Sequence, residues 1–164
     1  MSIVLILGSG PNVVATRHWP RDPFDRIIAI NNAWSVRPDW DTLIHPDDFA
    51  PERRPTEIAD HQTIVTSRDY VPVQNALGGF VYAGGTMAFT AGYWVLGHLR
   101  PRVIAMLGCD MTYSQTSKTH FYGTGTAAPL RNDVTLRSLE AKSARFMIKA
   151  AQLGCAVVNL STDE

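Results

Sequence analysis

The stretch Ser2-Ile3-Val4-Leu5-Ile6-Leu7-Gly8-Ser9-Gly10-Pro11-Asn12 decides the fold class. Residues 2–7 form a short apolar run, and such a run is typical of a strand that is buried on both faces. The two glycines, the proline and the asparagine that follow predict a tight loop. A buried strand that leads into a glycine-rich loop indicates the opening of a parallel sheet.

Further apolar runs predict strands that alternate with helices along the rest of the chain. The runs lie at residues 27–30, 42–44, 63–66, 103–107 and 156–158, with helices predicted at 87–99 and 135–153. Gly154 is expected to cap the last helix. This alternation predicts one domain over residues 1–164, an α/β fold of the Rossmann-like three-layer α/β/α sandwich type with a mostly parallel sheet.

The composition favours a small-molecule ligand over a nucleic acid. The chain has 164 residues, of which 45% are hydrophobic, and 15 basic side chains balance 15 acidic ones. No long basic run is interleaved with aromatic residues, as nucleic-acid binding would require. The first apolar run is too short for a membrane span and lacks the features of a signal peptide. Cys109 and Cys155 lie at predicted buried strands, which predicts free thiols and a cytoplasmic location.

The loop after the first strand is the first candidate ligand site. Gly8, Ser9, Gly10 and Asn12 follow a buried strand directly, where backbone amides and a helix N-terminus meet a phosphate in related folds. The spacing differs from the dinucleotide fingerprint, because Val13 stands where its third glycine would fall. The loop also lacks the Gly-Lys-Ser/Thr of a P-loop. A structural turn without a ligand remains the alternative.

Two further segments repeat this pattern of polar residues beyond a strand or before a helix. Asn31 and Asn32 follow the second predicted strand, and their amides are suited either to a turn or to a base or ribose. Gly85 and Thr86 precede the predicted helix 87–99, where they indicate either a ligand contact or an ordinary N-cap. We expect all four residues at the ligand site.

Acidic residues and histidines supply the candidates for chemistry. Asp110 follows the strand 103–107, and His120 and Tyr122 lie in the long segment 111–133, which is a candidate functional loop. His120 and Asp110 are the predicted catalytic residues, either of them as a general base. Carboxylates suit Mg²⁺, so Asp47 and Asp110 are candidate metal ligands. His45, Asp48 and His120 could contribute to the same divalent-metal site. For Asp47 and Asp48, capping of the segment after Pro46 is the alternative.

Several of these motifs together resemble one known family. They are the segments 4–12, 29–32 and 84–86, Leu107-Gly108-Cys109-Asp110-Met111, His120-Phe121-Tyr122-Gly123 and 158–161. In this pattern the chain resembles the MptE-like 6-hydroxymethylpterin pyrophosphokinases, which are related to the family 42 bacterial sialyltransferases. The resemblance spans nearly the whole chain.

The resemblance implies roles for particular residues. In the sialyltransferases a CMP-sugar is held by segments that match residues 8–11, Asn31 and Gly85-Thr86, and tyrosines on the donor phosphate are matched most nearly by Tyr113 and Tyr122. The catalytic histidine of that family falls on Asn132 or Asp133 here, so sialyl transfer would need His120 in its place. The pterin kinase resemblance implies ATP and Mg²⁺ near Asp110 and Asp47.

The sequence therefore predicts a nucleotide-dependent or nucleotide-sugar-dependent transferase, with either sialyltransferase-like glycosyl transfer or MptE-like pyrophosphoryl transfer. The expected partner is a small nucleotide or nucleotide-sugar, with Mg²⁺ as cofactor if ATP is the donor. The alternative is an accessory module, associated with a phage or a polysaccharide locus, that binds a phosphate or nucleotide without turnover. An oligomer is compatible with the apolar helix around Trp94.

Overall fold

The computed structural model describes residues 2–78, 86–110, 120–123 and 139–161. Six short strands form one sheet: β1 (Ile3–Leu7), β2 (Arg26–Ile30), β3 (Thr42–Ile44), β4 (Thr63–Val65), β5 (Val103–Leu107) and β6 (Ala156–Asn159). Their order is β4-β3-β2-β1-β5-β6, and every neighbouring pair is parallel. The predicted Rossmann-like α/β sandwich is confirmed.

The central strands are buried because both of their faces carry apolar side chains. Leu5 and Leu7 of β1 contribute to the core on one face of the sheet, and Val4 and Ile6 contribute to the core on the other. All four are at most 2% exposed. This two-sided burial is the reason that β1 appears in the sequence as an unbroken apolar run rather than as an alternating one.

The three described α-helices pack on the same face of the sheet. They are α1 (Ser67–Ala76), α2 (Met87–Trp94) and α3 (Leu139–Gln152). Phe146 of α3 contacts the ring of Tyr93 of α2 edge to face, with 5.1 Å between the ring centroids. A methyl group at Gly92 would lie 2.7 Å from the Phe146 ring, so glycine at this position allows the two helices to approach closely.

The opposite face carries 3-10 helices instead of α-helices in the described part of the chain. Pro11–His18 connects β1 to β2, and Asn31–Ser35 lies between β2 and β3. Val13, Ala33 and Trp40 complete a second buried core against the inner strands. The helix expected after the glycine loop is thus present in the tighter 3-10 form, with Pro11 at its first position.

Two helices differ from the sequence prediction. Helix α1 was not predicted, since Pro72 interrupts its pattern, although Thr66 and Asp69 form a capping box at its start. The predicted helix 87–99 is α-helical only to Trp94 and continues as a π-helical turn over Val95–Leu99. Gly154 has a φ of +70° directly after α3, as a glycine C-cap requires. Among the described residues, no helix combines the length and apolar character needed to cross a membrane.

Candidate functional site

The carboxyl ends of β1, β2 and β5 lie at one edge of the sheet. Leu7 is in register with Ala29 of β2 and with Leu107 of β5. The chain moves outward from β1 to β4 and then returns to place β5 on the other side of β1. The edge between β1 and β5 is therefore a topological switch point, where open α/β sheets bind their ligands.

The glycines after β1 allow the loops after β1 and β5 to pack against each other. A methyl group at Gly8 would lie 2.2 Å from the Gly108 carbonyl oxygen, and one at Gly10 would lie 2.9 Å from the Gly108 Cα. The Gly8 amide donates to the Leu107 carbonyl and the Gly10 amide to the Gly108 carbonyl, each at 2.8 Å. Both amides are thus engaged within the protein and are not available to a phosphate.

The segment His120-Phe121-Tyr122-Gly123 is a tight turn that docks on the β1 loop. The His120 amide donates to the Gly123 carbonyl and the Gly123 amide to the His120 carbonyl, at 3.0 and 3.1 Å. The Phe121 amide donates to the Ser9 carbonyl at 3.0 Å, and the Phe121 ring packs against the core on the 3-10 side of the sheet. The rings of His120 and Tyr122 lie 4.9 Å apart. The fold therefore places the turn that contains His120 beside the glycine loop.

Asp110 is attached to the same loop through Asn12. The Asn12 side-chain amide donates to Oδ2 of Asp110 at 3.0 Å, across 98 positions of the chain. The other carboxylate oxygen of Asp110, Oδ1, is buried and has no hydrogen-bond partner among the described residues. A buried carboxylate oxygen is stabilised by a donor or a cation, and Oδ1 keeps the capacity to accept one.

Burial changes the acid–base behaviour of two groups at this edge. It lowers the pKa of His120 below the usual histidine value, so the imidazole is neutral at pH 7 and is able to accept a proton. Burial, reinforced by the negative charge of Asp110, raises the pKa of the Cys109 thiol to about 12. Cys109 therefore stays protonated and is a poor nucleophile, in contrast to activated cysteines in positively charged sites.

A pocket of about 450 Å³ opens beside Asp110 on the α-helical face. We call it the strand-end pocket. Its apolar wall comes from the start of α2, from β5 and β6 and from α3, through Phe89, Met106, Val157 and Phe146. Its polar groups are Asp110, Glu140, Ser143 and Asn159. A flat apolar wall with a few polar groups at one end is typical of small-molecule sites.

Local structure explains only in part why Asn31, Asn32 and Thr86 stand at their positions. Asn31 has a left-handed φ of 51° and opens a 3-10 helix with Asn32, as turn-forming asparagines do. Oδ1 of Asn31 is nevertheless buried without a partner among the described residues. Thr86 accepts a hydrogen bond from the Phe89 amide at 3.4 Å and so caps α2. Since Phe89 also lines the strand-end pocket, Thr86 lies within one helical turn of it.

The two candidate metal ligands lie at different strand ends. Asp47 follows β3, and its carboxylate accepts hydrogen bonds from the Ser67 hydroxyl at 2.6 and 2.9 Å. Three strand spacings, about 14 Å, separate β3 from β5, which precedes Asp110. His45 is 2% exposed and stacks obliquely on Phe49. Within the described ranges, no three histidine, cysteine, aspartate or glutamate residues are grouped so as to hold a metal.

Some of the predicted site lies outside the described residues, and some of the observed pocket was not predicted. Gly85 and Tyr113 fall within the ranges 79–85 and 111–119, which the structure does not describe. Glu140, Ser143 and Phe146 line the pocket although the sequence shows them only as parts of an amphipathic helix. Their helical spacing of three residues placed them on one face, but nothing in the sequence showed that this face meets Asp110.

Comparison with models of known protein families, with curated proteins and with solved structures finds no match for this chain. A function is therefore inferred from the geometry of the sheet edge.

Proposed function

We propose that this protein is a nucleotide-dependent transferase that acts at the edge between β1 and β5. One observation supports this above the others: both predicted catalytic residues are attached to the same loop. Asp110 is bonded to Asn12, and the turn that contains His120 is bonded to Ser9. Asp110 also lines a pocket large enough for a small-molecule ligand, and the turn that contains His120 lies on the neighbouring β1 loop at the switch point of the sheet.

The charges of the strand-end pocket favour a metal-assisted reaction. Its charged residues among those described are the two acids Asp110 and Glu140. Two carboxylates repel a phosphate, but together with phosphate oxygens and water they form the ligand set that Mg²⁺ prefers. We therefore assign Asp110 and Glu140 as the residues that would hold Mg²⁺, which would neutralise phosphate charge when bound. This supports pyrophosphoryl transfer from ATP over a metal-free glycosyl transfer.

The neutral imidazole of His120 supplies the base for this reaction. In the proposed step it takes the proton from a hydroxyl group of the acceptor as that oxygen bonds to phosphorus. The bond from phosphorus to the leaving nucleotide oxygen breaks at the same centre, and the electron pair leaves with the nucleotide. Phe89 and Phe146 provide an apolar wall for the flat part of a ligand and exclude water from it.

A reducing compartment is part of the proposal. Cys109 and Cys155 are both free thiols. Free cysteines without a disulfide framework are typical of proteins that work in the cytoplasm.

A thermal-shift series tests ligand and metal together. ATP with Mg²⁺ should raise the melting temperature, and ATP with a chelator should raise it far less. Asp110→Asn should lose the Mg²⁺-dependent part of the shift. Asp47→Asn is the matched control, because Asp47 bonds Ser67 near β3 and should leave the shift unchanged. Stabilisation by a CMP-sugar without metal would instead support glycosyl transfer, and no shift with any nucleotide would refute the proposal.

Turnover separates an enzyme from a binding module. His120→Ala should abolish release of AMP from ATP in the presence of an acceptor while it retains the Mg²⁺-ATP thermal shift. If the wild-type protein binds ATP but no hydroxyl-bearing acceptor yields AMP, the accessory-module alternative is supported.

A further inference from the structure

A second pocket lies beside β2, β3 and β4 and shares no lining residue with the strand-end pocket. Its volume is about 440 Å³. We call it the amino-end pocket, because Arg26, Thr42 and Thr63 in its wall are the first residues of β2, β3 and β4. Thr42 is in register with Thr63, and their hydroxyl oxygens lie 3.2 Å apart.

Arg26 has hydrogen-bonding capacity left over for a ligand in this pocket. Its side chain is 56% exposed, and its contact with Oδ1 of Asp41 is 3.3 Å long. The Asp41 carboxylate already accepts hydrogen bonds from the Ile27 amide and from Arg21, both at 2.7 Å. One carboxylate therefore serves two guanidinium groups. Since a guanidinium group has five N–H donors, Arg26 keeps most of them for another acceptor.

Besides Arg26, two acids line the pocket, Asp41 and Asp69. Asp41 is paired with Arg21 as well as with Arg26, so these three groups together keep one positive charge. Asp69 lines the pocket, but its carboxylate accepts a hydrogen bond from the Thr66 amide at 2.9 Å and caps α1. His61 and His98 are exposed imidazoles in the lining and are able to donate hydrogen bonds. Arg26 and the two histidines thus give the pocket wall several donors.

The remaining wall consists of the exposed His98 ring, the nearly buried Trp94 ring on which it stacks, and apolar side chains. Trp94 and His98 stack with ring centroids 4.9 Å apart and an angle of 19° between the ring planes. The π-helical turn Val95–Leu99 that follows Trp94 contains His98, and π-helical turns are frequent at functional sites. Leu99 and Val65 extend the apolar surface.

From the donors on one wall and the aromatic surface on the other, we infer that the amino-end pocket binds a small organic anion with a flat apolar body. Arg26 binds the carboxylate or phosphate of this ligand, and the body lies against the exposed His98 ring and Leu99. This is a second ligand site, independent of the proposed transferase site.

Phenyl phosphate and benzoate are suitable probes for this site, with phenol as the uncharged control. The indole N–H signal of Trp94 in a ¹H–¹⁵N spectrum, identified through a Trp94→Phe variant, should shift in a saturable way with either anion. Phenol should bind at least roughly tenfold more weakly, since it offers no anion to Arg26.

Variants on the two pocket walls complete the test. Arg26→Gln should weaken phenyl phosphate binding roughly tenfold or more, and Arg102→Gln, at an exposed position outside the pocket, should not change it. Thr63→Glu puts a negative charge at an exposed lining position and should abolish binding without unfolding the protein. An unchanged affinity in both Arg26→Gln and Thr63→Glu, or no saturable Trp94 shift, would overturn the inference.

Discussion

The side-chain amide of Asn12 donates to Oδ2 of Asp110 across 3.0 Å and so joins the loop after β1 to the loop after β5. This bond holds in place the carboxylate to which we assign the metal. Asn12→Ala should therefore lower the free energy of unfolding by about 1–3 kcal/mol, since a charged acceptor loses its donor. Urea unfolding measures this loss. Asn12→Asp should be worse than alanine, because two carboxylates would then meet, and an equal loss would contradict the role given to the bond.

Close packing of the two glycine loops predicts that Gly8→Ala is severely destabilising. The new methyl group would lie 2.2 Å from the Gly108 carbonyl oxygen, which is backbone and unable to move aside cheaply. We expect a loss of about 3 kcal/mol or more in urea unfolding.

Gly154→Ala is the matched control for this substitution. Gly154 has a positive φ of +70° but no neighbouring atom within 4 Å of an added methyl group. It should lose only about 1–2 kcal/mol, the cost of a left-handed backbone. Equal losses at the two positions would show that the loops are able to separate.

Because the Cys109 thiol stays protonated in the folded protein, we expect the free energy of unfolding to fall at alkaline pH. The folded protein holds this proton up to a pKa of about 12, whereas an unfolded thiol releases it near 8.5. The free energy of unfolding should therefore fall as the pH rises above about 8.5, by at most about 1.4 kcal/mol per pH unit for this group.

Burial also raises the pKa of Cys155, so the comparison needs a background without that thiol. Between pH 8 and 10, the free energy of unfolding of the Cys155→Ser variant should still fall as the pH rises. The double variant, which also carries Cys109→Ser, should lack this fall. Parallel slopes in the two proteins would mean that Cys109 ionises in the folded state as easily as in the unfolded chain.

The partly buried imidazole of His120 predicts the opposite dependence at acid pH. Because burial lowers its pKa, the folded protein binds this proton less tightly than the unfolded chain does. The contribution of His120 to stability is thus complete above about pH 6.5 and is lost as the pH falls below that value. An NMR titration of the ring should give a midpoint below that of the same residue in urea. A midpoint at or above the urea value would remove the case for His120 as a neutral base.

Much of the fold could be predicted because buried parallel strands leave continuous apolar runs. All six strands were predicted to within one residue of the observed bounds. Helix α1 was missed because Pro72 and a polar composition hide it, although Thr66 and Asp69 gave a capping signal. The local sequence pattern determines strands and helices of this kind, so it reveals most of them.

The candidate site was less accessible to sequence reasoning. Strand ends identified Ser9, Asn12 and Asp110, but the bond from Asn12 to Asp110 spans 98 positions and has no local signal. The hydrogen bonds from the Gly8 and Gly10 amides to the Leu107 and Gly108 carbonyls are equally long-range. Glu140 could be placed on a helix face, yet only the tertiary structure shows what that face meets.

Helix α2 forms part of the wall of both cavities, with Phe89 at one end and Trp94 at the other. Five residues of α-helix correspond to a rise of about 7.5 Å. The two chambers therefore share a short rigid partition, and Gly92, packed against Phe146, lies within it. A bulkier residue at position 92 would displace α2 as a rigid element, and both pockets would change shape together.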